Sequence, residues 1–104
     1  MEPQVTDRPE KSRYEILAGD DGTEIAGFAE YHLSDGEIAF LHTETESRFA
    51  GRGLGGLLAR GALDDARARG LRVLPYCPFI RGWIGRHPAY ADLVPADRRA
   101  RFGL

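Results

Sequence analysis

Cys77 is the only cysteine in a chain of 104 residues, and it directly follows Leu71-Arg-Val-Leu-Pro-Tyr76, a segment that reads as a strand. Strand carboxyl ends in α/β units are where such folds hold ligands. A thiol at that place, as thiolate, is a nucleophile able to carry an acyl group. The competing reading is a small buried hydrophobe. Pro78, next in sequence, removes a backbone donor and fixes the turn. His87, just before Pro88, is the first candidate for a general base; a cap or packing role ahead of that proline is its alternative. His42 and His32 are further candidates. His42 lies on a strand among apolar neighbours and reads rather as a satisfied core or surface histidine. Glu44 and Glu46 near the end of that strand can draw an amine or relay a proton through water, or simply be solvated. Tyr76 and Tyr90 are possible donors to a leaving thiolate. Trp83 with Phe79 reads as core first, with a wall of an acceptor pocket as the second reading. No cluster of metal ligands is present.

A second feature needs its own chemistry. Phe49-Ala-Gly-Arg-Gly-Leu-Gly-Gly-Leu-Leu58 is a glycine loop between a predicted strand, residues 37–44, and a predicted helix from Leu54. Amides at a helix start are unpaired, the helix dipole favours an anion there, and glycines let a phosphate approach the backbone. Gly51, Gly53 and Gly56 formally satisfy G-x-G-x-x-G. The dinucleotide reading also needs an acidic residue about 20 positions on, and neither Asp nor Glu occurs between Asp65 and Asp92. A nucleoside-triphosphate loop needs Gly-Lys-Ser/Thr, where this chain has Gly56-Leu57-Leu58. A pyrophosphate gripped by backbone amides without metal fits what remains.

At this point the residues carry a resemblance. The loop after a strand and before a helix resembles the acyl-CoA loop of the GNAT acetyltransferase superfamily, Gln/Arg-x-x-Gly-x-Gly/Ala. Aligned on the helix start, Gly53 and Gly55 are its glycines and the Gln/Arg position falls on Ala50. Read two residues earlier, Arg48, Gly51 and Gly53 satisfy it. Leu74-Pro-Tyr-Cys-Pro-Phe79, Trp83 and His87-Pro-Ala-Tyr90 are similar to the short, single-domain Yjdj-type branch of that superfamily. The resemblance implies an acetyl-CoA-binding N-acetyltransferase acting on an unidentified amine, with a non-catalytic acyl-CoA-binding or sensing module as the alternative. It further implies coenzyme binding by Thr43, Gly51, Arg52, Gly53, Leu54, Gly55 and Gly56, a thioester near Cys77, and proton transfer by His87 or Glu44. No metal is implied.

These residues must be placed by a small scaffold. The length allows one core, and a net charge of −2 argues against nucleic-acid binding. A single cysteine excludes an internal disulfide. The sequence has neither a membrane-length apolar run nor a signal-peptide core. The expectation is a cytoplasmic monomer or weak dimer whose partners are acetyl-CoA and a small-molecule or protein amine. Residues 1–12 read as a loose arm, 13–94 as the domain and 95–104 as a tail. Within the domain, a strand from Arg13, a turn at Asp20-Asp21-Gly22, a strand over 24–33 and a turn at Ser34-Asp35-Gly36 lead to the strand at 37–44. The fold class is α/β (α+β): a mixed sheet, an antiparallel meander followed by a β-α-β crossover, splayed at the glycine loop. The helix spans 54–69 with Leu54, Leu57, Leu58, Ala62 and Ala66 on its apolar face and Gly70 as its stop. A short helix over 79–86 ends before Pro88.

Overall fold

The structure, a computed structural model, describes residues 2–104. Five strands form one sheet in sequence order: β1 (Gln4–Arg8), β2 (Arg13–Ala18), β3 (Glu24–Ser34), β4 (Glu37–Thr45) and β5 (Arg72–Pro75). The first four pair antiparallel, as their short turns require, while β5 runs parallel to β4 after the helix α1 (Leu54–Ala68). A second helix, α2 (Pro78–Arg86), and several 3-10 turns complete the chain. The mixed sheet with its crossover is the fold class expected.

The N-terminal arm is not loose. Gln4–Arg8 pairs along its length with β2, and Val5 packs against Gly61 of α1. Of the predicted arm, Met1 lies outside the described residues. The C-terminal tail forms short turns that bury Phe102, whose ring meets Tyr76 edge-on at 5.3 Å.

α1 lies across one sheet face. Its buried residues, Leu54, Leu58, Ala59, Ala62, Leu63 and Ala66, follow the 3.6-residue period and meet Tyr14, Ile16, Ala29, Ile38 and Phe40 in one core. Leu57, expected on that face, is exposed, and Leu63 takes its place. The Leu71 N–H donates to the Ala66 carbonyl, and Gly70 at φ 68° turns the chain out of the helix. The opposite sheet face carries Arg8, Arg13, Glu15, Phe28, His42 and Glu44, joined to one another and not to α1.

Candidate active site

The site begins with a break in the sheet. β4 and β5 pair only from Glu37 to Phe40, against Arg72 to Pro75. One residue later the register of β3 with β4 shifts: Tyr31 faces Phe40 but Glu30 faces His42, so Leu41 is an extra residue. Such a bulge bends its strand and increases its twist. On the other side Pro75 ends β5, and the Cys77 N–H closes the ladder on the Phe40 carbonyl at 2.8 Å. Beyond that bond the strands part. The Phe40 carbonyl points toward β5, and strand alternation corrected for the bulge puts the Thr43 and Thr45 main-chain groups in the same phase. They therefore face the open wedge.

Cys77 stands at the apex of this wedge as the first residue before α2. It is 2% exposed, and its Sγ lies 3.3 Å from Thr43 Oγ1. The hydroxyl of one strand and the thiol of the next connection thus hold each other where the sheet opens.

The glycine loop forms the base of the wedge. Gly51 and Gly53 adopt φ of 81° and 71°, the left-handed region that glycine occupies freely. A Cβ at either position would meet nothing within 4 Å. Gly53 precedes α1 without a side-chain cap, and the first helical bond runs from the Leu57 N–H to the Gly53 carbonyl. The Leu54, Gly55 and Gly56 amides thus lie ahead of the helical ladder and open into a groove of about 290 Å³, bordered by Thr45, Phe49 and Phe79. Gly55 and Gly56 serve packing as well. A Cβ on Gly55 would sit 2.8 Å from the Phe79 ring, and one on Gly56 3.6 Å from the Trp83 indole nitrogen. Arg52 packs its guanidinium over Phe49 at 5.2 Å and lines a separate recess with Arg48 and Glu24.

His87 and Glu44 lie apart from each other. His87 follows the last residue of α2, so the helix separates it from Cys77 by about 15 Å of axial rise. Its ring stacks on Trp83 at 3.8 Å, and Nδ1 lies 2.8 Å from the Trp83 carbonyl oxygen, a bond that requires the proton on Nδ1. This is the capping and packing alternative for His87. Tyr90 joins the same cluster. Its hydroxyl donates to Asp64 at 2.8 Å, and that bond, with burial, raises its pKa; Arg60 and Arg67 lie against its ring. The Trp83, His87 and Tyr90 group therefore fastens the C-terminal turns to α1.

Glu44 is exposed on the sheet face opposite α1, with its Oε2 2.9 Å from His42 Nε2. His42 in turn meets the edge of Phe28 at 6.2 Å. From its neighbours along the strand His42 reads as a core or surface histidine, whereas its side chain meets Glu44. The informative spacing was i to i+2, which places His42 and Glu44 on one face. Glu46 lies just past β4, in the wall of a cavity that Ile25 and Phe28 also line. His32 is exposed on β3, and Tyr76 is half-exposed against Phe102. Among the described residues, no group of three or more His, Cys, Asp or Glu could hold a metal ion, and no helix is long and apolar enough to cross a membrane.

Three comparisons bear on this arrangement. No curated protein matches the chain. Among solved structures, the solution NMR structure of a GCN5-like protein from Staphylococcus aureus superposes with a TM-score of 0.65 at 19% identity, covering 88% of this chain and 87% of that one. That likeness establishes the fold. The family model described as GCN5-related N-acetyl-transferase matches residues 13–93, which hold the splayed strands, the glycine loop and both helices. A bulged strand parted from its parallel neighbour over a glycine-led helix is thus the frame of a known family, and this chain belongs to the GCN5-related N-acetyltransferases.

Proposed function

We propose that this protein binds acetyl-CoA in the wedge between β4 and β5 and transfers its acetyl group to an amine. The observation that carries the reading is the groove of free glycine-loop amides bordered by Thr45, on the same unpaired edge of β4 that carries the Thr43–Cys77 contact. The 51–56 backbone holds the pyrophosphate, and the left-handed Gly51 and Gly53 leave its approach clear. The Thr43 and Thr45 main-chain groups pair with the pantetheine amides as a missing strand would. One N–H there polarises the thioester carbonyl.

In the covalent route the Cys77 sulfur forms a bond to the acetyl carbon while the thioester C–S bond breaks. The Cys77 proton passes to the departing coenzyme sulfur, directly or through the Thr43 hydroxyl. The amine then takes the acetyl group, and Cys77 recovers a proton. Glu44, with His42 bonded to it, accepts the ammonium proton before attack. His87 positions α2 through Trp83. A second reading, direct attack by the amine in a ternary complex, is favoured by one observation. His42 and Glu44 are open to solvent, whereas Cys77 is buried.

Calorimetry tests the shared premise. Coenzyme A should bind with an affinity on the order of micromolar. Gly53→Asp should abolish the binding heat, because it adds a negative charge where the phosphates enter. Gly53→Asn, similar in shape and tolerant of the left-handed region, should keep most of it. Absence of binding to the unmutated protein rejects acetyl-CoA as the ligand.

A further inference from the structure

We propose that the acceptor is a small primary amine bearing no carboxylate, held in a cavity on the open sheet face beside the end of β4. This rests on the acetyl-CoA reading above and names the substrate class of that site. The cavity, about 270 Å³, is bounded by Ile25, Phe28, Glu44, Thr45, Glu46 and Ser47. Thr45 lines both this cavity and the glycine-loop groove, so the two flank the free end of β4.

Their linings differ in sign. The groove offers backbone amides and no acidic side chain, as suits an anionic coenzyme. The cavity's two charged residues are both carboxylates, set beside the apolar Ile25 and the Phe28 ring. Arg13 lies over Phe28 at 4.5 Å but is committed to Glu15, with an N–O separation of 2.7 Å. An alkylammonium can place its charge at Glu44 and its carbon chain on Ile25 and Phe28. His42 then stands one hydrogen bond away through Glu44 Oε2. An amine that also carries a carboxylate brings an anion between Glu44 and Glu46, a like-charge contact that disfavours it about tenfold or more. The volume lies just below the usual range for drug-sized ligand sites, which suits a body of a few carbons.

Amide NMR on the full chain separates the possibilities, with n-butylamine and 4-aminobutanoate as probes of equal chain length. With coenzyme A present, n-butylamine should shift the Phe28, Glu46 and Ser47 amides. Its apparent Kd should be at least tenfold below that of 4-aminobutanoate. Glu46→Gln should bring the two affinities within about threefold. Equal affinities in the unmutated protein, or shifts that avoid these residues, would overturn the proposal. The response of the 51–56 amides to coenzyme A alone reads the underlying premise separately. If those amides move and the amines are not discriminated, only the acceptor class is wrong.

Discussion

Cys77 owes its position to main-chain bonds on both sides. Its N–H is held by Phe40, and its carbonyl accepts the Arg81 N–H as α2 begins. The side chain therefore has little freedom to leave Thr43. If it takes the acetyl group, intact mass after mixing with acetyl-CoA should show one added acetyl that Cys77→Ala lacks. Cys77→Ser should bind coenzyme A as before, because the amides of the glycine loop are untouched, yet lose transfer by orders of magnitude. Full turnover by Cys77→Ala on any amine would make the cysteine a pocket wall and favour direct attack. The position of Cys77 at a strand end was legible from Pro75, Pro78 and the apolar run before them. Its partner was not, because Thr43 is distant in sequence and reaches it only through the parallel register. His87 is the reverse case, a candidate base by sequence whose packing on Trp83 is not legible there. A histidine before proline near a candidate pocket suggested a base, but the length of α2 carries it away from the thiol.

At the scale of elements, the strands from Arg13 to Thr45 and the crossover helix follow from turn residues and periodicity, and the structure returns them within a residue or two. Two features were hidden. The bulge at Leu41 has no composition of its own; it appears only when β3 and β4 are set in register. β1 was missed because Gln4-Val-Thr-Asp-Arg8 is mostly polar, and its inward residues, Val5 and Asp7, are held by partners far along the chain. Asp7 accepts the Tyr31 hydroxyl at 2.6 Å, and Val5 fills the space above Gly61. Gly61 is thus a docking surface for a strand. Gly61→Ala would gain about 1 kcal/mol of helix propensity. Its Cβ would also lie 2.7 Å from the Val5 side chain. Overpacking of that kind costs typically 1–3 kcal/mol. We expect a net loss of about 1 kcal/mol in denaturant unfolding, with hydrogen exchange speeding first along β1. An unchanged or raised stability would mean that β1 shifts outward at little cost.

Across the whole molecule, one sheet face is covered by α1 and the other relies on its own side chains. At the β1–β2 end that open face hides a carboxylate. Glu15 is 1% exposed and lies 3.1 Å from Arg8, 2.7 Å from Arg13 and 3.9 Å from Lys11. Burial pushes its pKa up, but the hydrogen bonds from Arg13 and Arg8 and the charges of Arg13 and Lys11 outweigh burial, so it titrates below its ordinary 4.5. A carboxyl depressed in the folded state contributes stability that is fully present above its unfolded pKa. That contribution is lost as pH falls through the folded value. The cluster joins β1 to β2, so acid should loosen the N-terminal strand along with the sheet edge. Glu15→Gln should lower stability at neutral pH by about 2 kcal/mol, on the order of 10 °C in Tm for a chain of this length. The variant should also lose part of the fall in Tm below pH 4.5. Asp21, held by Thr23, and Asp92, held by Arg67, also titrate low and remain in the variant, so its acid slope should shrink without vanishing. Thermal unfolding of both proteins across acidic and neutral pH measures this. Parallel curves, displaced but equal in slope, would show that Glu15 contributes packing and hydrogen bonds without its charge mattering.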